Sequence, residues 1–313
     1  MKITNKLGLP DMLVRSVEKE YNYRDKRYSI TSLLDNDRVI MLKRRYNDLI
    51  EQDVSDSIWM LFGTFTHFAL ENIELKENEF VEEHLEYTFD NGYTLSGIVD
   101  HIDEEYCDDY KTTSVWTIIY KSNDEKWKKQ LQMGAYLHYK KHGVWKSKGR
   151  IIAILKDWNK KELLNNEDYP KLPVEVINFD LGTPEEVEKM ILKRFDEIIE
   201  LEKLADNQLP MCSLEERFNN GDKYIVIKKG GKRATKVHDT KEEAGKHLEN
   251  LEKNYAGQYE IQLRKGEDTK CLHYCNCNKF CPYYLTNYDN DIKEIHEELA
   301  ENIEKEINKK MGE

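Results

Sequence analysis

Apolar positions along this chain change their spacing several times, and each change marks an element. Residues 28–50, running from SITSLLDND into LKRRYNDLI, read as a cap followed by a helix. WMLFGTFTHFALENIE (59–74) carries apolar residues at helical spacing around Gly63. The pattern then turns to alternation: EEHLEYTF and YTLSGIVDHI are joined through Asp90-Asn91-Gly92, and YCDDYKTT follows a short acidic turn. The Asn-Gly pair predicts a type I′ hairpin turn, which needs positive φ at both central residues. Residues 82–113 are therefore predicted to form a three-stranded antiparallel meander.

Helical spacing returns over 124–143 and stops at Gly143, a helix-ending residue. GRIIAILKDW (149–158) and VEVINFDL (174–181) read as strands, and Thr183-Pro184-Glu185-Glu186 opens a long amphipathic helix reaching Ala205. The sum is an α+β core, a mixed β-sheet flanked by helices. Beyond Cys212 the texture changes. A hairpin around Gly230-Gly231, a helix and a final strand make 222–264 a small inserted β-β-α-β unit. Residues 290–311 form a charged helix with Ile292, Ile295, Leu299, Ile303 and Ile307 on one stripe. The expected division is a core over 1–210, the inserted unit over 211–264, a cysteine segment over 265–288 and a C-terminal amphipathic helix over 289–313.

The net charge of −12 does not favour a nucleic-acid partner, since affinity for DNA rests on basic surface. The charge is uneven, however: KSNDEKWKKQ and residues 226–238 are basic, and carboxylates are also what a divalent-metal site requires. No stretch approaches the ~18 consecutive apolar residues of a membrane span, and the N-terminus lacks the apolar core of a signal peptide. A cytoplasmic protein, of a bacterium or a phage-infected cell, is the expectation.

The meander concentrates the chemistry. Strand alternation puts Asp109 and Lys111 on one face of YCDDYKTT, with Asp108 and Tyr110 on the other. Asp100 lies on the adjacent strand, so a tight turn brings it near Asp109. Two neighbouring carboxylates call for a cation, and Mg²⁺ or Mn²⁺ is the natural one. Upstream, His67 and Glu71 share a helical face, as do Gln132 and Tyr136 downstream. Each of these signals is weak alone. Together, G-x-x-x-H (Gly63 to His67), G-x-x-D (Gly97 to Asp100), D-x-K (Asp109 to Lys111) and Q-x-x-x-Y (Gln132 to Tyr136) resemble the PD-(D/E)XK superfamily in its RecB-like branch. That branch holds helicase-associated nuclease domains, CRISPR-associated end-trimming nucleases and phage exonucleases. The resemblance implies a restriction-endonuclease-like core and metal ligation by His67, Asp100 and Asp109, with a carbonyl from Tyr110. It implies catalysis by Lys111, and a DNA-contacting or supporting role for Gln132 and Tyr136. The second acidic position is Asp where Glu is commoner.

Four of the six cysteines fall within 271–281, a clump that suits a metal or cluster better than disulfides. The spacing lacks the paired C-x-x-C knuckles of most zinc sites. The tail resembles RecB-like nucleases in which cysteines hold a [4Fe–4S] cluster, which implies Cys271, Cys275, Cys281 and a distant partner, here Cys212. Zn²⁺ is the rival occupant, with His273 as an added ligand, and Cys277 could stand in for Cys275 or Cys271. Cys107 reads as a small buried hydrophobe.

The implied activity is metal-dependent hydrolysis at DNA ends, in recombination, repair or phage DNA processing. A structure-specific endonuclease or junction resolvase, and a non-catalytic DNA-binding subunit, are the alternatives. No phosphate-binding G-x-x-x-x-G-K-[ST] motif is present, so unwinding would need a helicase or single-strand annealing partner. Lys228, Lys229, Lys232, Arg233 and Lys236 form either a DNA-guiding flap or an exposed basic hairpin without a role.

Overall fold

A computed structural model describes residues 1–17 and 23–288, in two compact units, Met1–Ala205 and a second beginning at Asp206. The first unit opens with β1 (Lys2–Thr4), α1 (Asp11–Val17), β2 (Arg27–Ser29), α2 (Ile30–Leu33), α3 (Asp37–Arg45), β3 (Glu51–Asp53) and the long helix α4 (Val54–Glu71). It continues through β4 (Phe80–Thr88), β5 (Thr94–Ile102), β6 (Tyr106–Thr113), α5 (Val115–Ile119) and α6 (Asp124–His142). It ends with β7 (Lys148–Leu155), α7 (Lys160–Leu163), β8 (Val174–Asp180) and α8 (Pro184–Glu202).

Six strands form the central sheet in the order β2-β5-β6-β7-β8, with β4 on the other edge of β5. β4, β5 and β6 run antiparallel, as the alternating pattern predicts, while β6 and β7 run parallel, so the sheet is mixed. α6 packs on this sheet and against α8. Its buried Leu131, Ala135 and His138 recur at helical spacing, and Ile191, Phe195 and Ile198 do the same on α8. α8 starts with a full capping box, Thr183 and Glu186 each satisfying the other's backbone, with Pro184 in the first turn. It ends at Glu202, whose two oxygens accept from the Tyr28 and Tyr93 hydroxyls at 2.5 and 2.6 Å. α6 stops at Gly143, whose φ of +75° is the left-handed cap its sequence predicts.

Two local expectations need correction. Residues 28–50 are not one helix: Leu34–Asn36 interrupt it, because Ser29 caps α2 by accepting from Ser32 N–H and Asn36 starts α3 afresh. The β4–β5 turn is not type I′, since Gly92 alone is left-handed (φ +80°). Gly92 N–H donates to the Phe89 carbonyl at 2.8 Å and Phe89 N–H to the Tyr93 carbonyl at 2.9 Å. That is a three-residue loop with one glycine in the left-handed position.

The second unit holds β9 (Lys223–Lys228), β10 (Ala234–His238), α9 (Lys241–Tyr255), β11 (Tyr259–Arg264) and α10 (Thr269–His273). The strands pair antiparallel in the order β10-β9-β11 with α9 against them, the β-β-α-β pattern read from the sequence. Asp268, almost fully buried, ties residues near 217 to those near 283. It accepts from Arg217 (3.0 Å), Asn219 (2.6 Å), Tyr283 (2.6 Å) and Tyr288 (2.8 Å). Burial pushes its carboxyl up, but these donors outweigh burial and hold it below the usual range. The helix expected over 290–311 lies outside the described residues. Among the described residues no helix is long and apolar enough to cross a membrane.

Candidate active site

The site is made by a fork in the sheet. β5 and β6 pair only at His101↔Asp108 and Ile102↔Cys107. Continued by one residue, that register sets Asp100 opposite Asp109, and there the ladder stops. Asp100 takes over the lost ladder contact itself: its Oδ2 accepts from the Tyr110 backbone N–H at 2.8 Å. β6 meanwhile parts from β5 but stays paired with β7 along its whole length, Asp109 lying beside Ile151. Gly97 lets the sheet sit tightly under α2, since a Cβ there would come within 2.5 Å of Ile30 Cδ1.

Asp109 is 5% exposed. Its Oδ1 accepts from Gln130 Nε2 at 2.6 Å. Lys111 Nζ lies 2.6 Å from its Oδ2, an ion pair without the alignment of a hydrogen bond, so that buried oxygen keeps no directed donor. His67, from α4, places Nδ1 at 3.7 Å from Asp100 Oδ2 and 2.8 Å from Glu82 Oε1. These groups line an open cleft of about 960 Å³ in the first unit, bordered also by Glu71. Burial raises the Asp100 carboxyl, and the neighbouring Asp109 raises it further, to about 7. Burial raises Asp109 as well, against the pull of Lys111 and Gln130. Two desolvated carboxylates and one oxygen without a directed donor fit a hard divalent cation.

His67, Asp100, Asp109 and Lys111 thus come together, with the Tyr110 backbone beside them. Asp108 faces away from Asp109, as alternation requires, and accepts from Arg150 and His101. Gln132 and Tyr136 do not reach the carboxylates. Gln132 donates to the Leu181 carbonyl at 3.1 Å. Tyr136 is fully buried, its ring stacked on Phe89. The glutamine that touches the site is Gln130, half a turn earlier, and no spacing signal distinguishes the two. Glu82 was also not readable from the sequence, since it is one of two consecutive glutamates in a strand.

In the second unit, no disulfide joins the cysteines. Burial raises the Cys271 thiol to about 12, helped by Cys275, Asp268, Cys212 and Cys281. Burial raises Cys212 to about 11, with Glu216, Cys275 and Cys281 contributing. Cys212, Cys271, Cys275 and Cys281 are therefore within electrostatic reach of one another, and Cys277 Sγ is 3.6 Å from Cys275 Sγ. Burial thus holds Cys212 and Cys271 in the protonated form, and clustered sulfur donors are what soft metals take. Cys107 is buried beneath α6 in the first unit, near Leu131 and Gly134. Lys228, Lys229, Lys232, Arg233 and Lys236 are all exposed on the β9–β10 hairpin.

The sequence model of the PD-(D/E)XK nuclease superfamily matches residues 45–282. No curated protein matches the chain. Among solved structures, the chain is similar to the crystal structure of SSO0001, at 17% identity and a TM-score of 0.42, covering 60% of this chain and 81% of that one. It is also similar to an alkaline exonuclease from Laribacter hongkongensis, at 10% identity and a TM-score of 0.34, covering 56% of this chain and 90% of that one. Likenesses this loose say nothing about activity.

Proposed function

The chain belongs to the PD-(D/E)XK nuclease superfamily, and on that premise we propose that it is a divalent-metal-dependent deoxyribonuclease that degrades DNA from its ends. Its mixed sheet flanked by helices is the restriction-endonuclease-like core of that superfamily. The observation that carries the reading is the fork: continued beyond the last β5–β6 pair, the register sets Asp100 opposite Asp109, each carboxyl raised by burial, with Lys111 2.6 Å from Asp109.

Residues His67, Asp100 and Asp109 would hold Mg²⁺ or Mn²⁺, the imidazole tilting the choice toward Mn²⁺. The bound cation would supply polarisation of the scissile phosphate and a water of lowered pKa. Tyr110 N–H fixes the Asp100 rotamer and Gln130 fixes that of Asp109, so both oxygen pairs are set before substrate arrives. Lys111 faces the cleft and offsets the negative charge that develops on the phosphate.

The preference for ends, and for single strands, is supported by the surface of α4. Trp59, Phe62, Phe65 and Phe68 are exposed along the helix that delivers His67, and Phe68 borders the cleft itself. Trp59 stacks on Phe62, with Lys156 Nζ 5.1 Å from the indole centre. Open rings beside a cation suit unpaired bases and their backbone. Gly63 lies among them, and a Cβ there would meet nothing within 4 Å, so no packing inside the protein demands a glycine. In the second unit, Cys212, Cys271, Cys275 and Cys281 would hold a [4Fe–4S] cluster that staples the segment, with Zn²⁺ as the rival occupant. The basic hairpin would guide DNA.

The test is digestion of end-labelled single-stranded and duplex linear DNA with Mg²⁺ or Mn²⁺, beside a closed single-stranded circle. Linear DNA should shorten from its ends while the circle survives. Cutting of the circle would make the protein an endonuclease on the same core, and no cutting of any substrate would leave a DNA-binding subunit.

A further inference from the structure

The geometry points to Glu82 as a further ligand of the metal centre, supplying a third carboxylate beside His67 and Asp100. This rests on the metal-dependent reading above.

β4 and β5 pair Phe80↔Ile102 and Val81↔His101, then resume at Glu83↔Val99 and His84↔Ile98. The register is unbroken across the gap, so the pair that fails to form is Glu82 with Asp100. Glu82 has a φ of +47°, in the interior of a nine-residue strand where no turn calls for it. Left-handed backbone at a non-glycine residue persists only where its surroundings impose it, and such positions gather at functional sites.

What the kink achieves is visible on either side of it. In a regular strand Phe80 and Glu83 would face opposite ways. Here both meet α6: the Phe80 ring lies 4.9 Å from that of His138, and Glu83 reaches His138 at 3.3 Å and His142 at 2.8 Å. One residue has been turned out of the alternation, and its carboxylate goes to the cleft. Glu82 Oε1 stands 2.8 Å from His67 Nδ1, and the ligand atoms of His67, Glu82 and Asp100 all lie within 4.8 Å of one another. A single cation can be shared by three atoms so placed.

Charge supports the same assignment. With Asp100 and Asp109 alone, a divalent cation and the Lys111 ammonium leave the site with one positive charge in excess. A third carboxylate brings it to neutrality, which lowers the cost of burying the whole set. Asp100 on β5 then stands between Asp109 on β6 and Glu82 on β4, at register-opposed positions of three neighbouring strands.

Mn²⁺ binding, followed by loss of the free-ion electron paramagnetic resonance signal, tests this without reference to cleavage. Glu82→Gln should weaken Mn²⁺ by more than about 100-fold, and a smaller loss, within the roughly 10–100-fold that an outer-shell partner costs, would overturn the assignment. If Glu82 served only to orient His67, the amide oxygen would still accept from Nδ1–H, and the loss would be no larger than that. Glu82→Gly separates ligation from a merely structural role. Relief of the left-handed backbone should raise the metal-free Tm, while the Tm gain on adding Mn²⁺ shrinks. A lower metal-free Tm with the full Mn²⁺ gain would also overturn it. Wild-type protein that takes up no Mn²⁺ would overturn the metal reading and this assignment together, a result distinct from a failure of the variants alone.

Discussion

Asp108 and Asp109 are consecutive residues of β6, both buried, on opposite faces of the strand and in opposite circumstances. Asp108 is saturated. Arg150 Nε and Nη2 donate to its two oxygens at 2.7 Å each, and His101 Nδ1 stands 2.9 Å from Oδ2. Arg150 also bonds Asp103 at 3.1 Å, so the rear of the fork is clamped by one guanidinium. Asp109 has one directed donor, Gln130, and a carboxyl that burial pushes up. The rear face spends its charges on each other and fixes where the strands part. The front face leaves its charges incompletely satisfied, and that is the condition for recruiting something from outside the chain.

The largest effect should come from breaking the clamp. Arg150→Ala leaves the buried Asp108 carboxylate with His101 in place of the guanidinium, and removal of one partner from a buried pair costs about 3–5 kcal/mol. The check is chemical denaturation, and a loss under 1 kcal/mol would mean that the two faces do not differ as described. Lys111→Ala should reverse the balance. Cleavage is expected to fall by about 10²–10³-fold, as when one stabilising donor is taken from a transition state, while stability falls by less than with the clamp, because Asp109, its carboxyl already raised by burial, can take up a proton. Equal damage to activity and stability would erase the distinction between the faces.

The pH dependence sharpens it further. Asp100 has a folded pKa raised to about 7, so between the ordinary carboxylate range and that value the folded protein binds more protons than the unfolded chain. Between the ordinary carboxylate range and pH 7, metal-free stability should therefore fall as pH rises, by up to a few kcal/mol, while below that range protonation of carboxylates held low, such as Asp268, turns the slope over. Saturating Mn²⁺ should flatten the slope. Thermal melts across that range, with and without the ion, decide the matter, and a metal-free slope of the opposite sign would refute the assignment of strain to the front face. The smallest effect should be Gly63→Ala. A mid-helix glycine with open space around it costs roughly 0.5–1 kcal/mol, so the variant should be more stable by that amount. A fall in single-strand affinity alongside the gain would show that the glycine serves close approach of a ligand.

Much of the front face was legible because alternation is a strong constraint. It separates Asp109 and Lys111 from Asp108 on the pattern of the chain alone, and the long amphipathic stretches of α6 and α8 are equally plain. Where alternation breaks, reading fails. Glu82 was invisible because its positive φ violates the rule that would have been used to place it. Gln130 and Gln132 are both plausible on one helix, and only packing against β6 chooses between them. The apolar spacing of 59–74 identifies a helix but is silent on its cover, and α4 turns out to leave Trp59, Phe62, Phe65 and Phe68 in the open. The break at Leu34–Asn36 follows from competing caps, whose outcome depends on the sheet beneath.

The Asp268 junction has its own consequence for the cysteine segment. One buried carboxylate draws together Arg217 and Asn219 on one side and Tyr283 and Tyr288 on the other, with Cys212 and Cys281 close by in sequence on those two arms and Cys271 in the short helix that Asp268 begins. The arms are held by oxygen and nitrogen contacts, not by sulfur. On the reading that four thiols hold a metal centre, the segment would be folded before the centre is delivered, and loading would depend on the donor and not on the search of a loose tail for its fourth thiol.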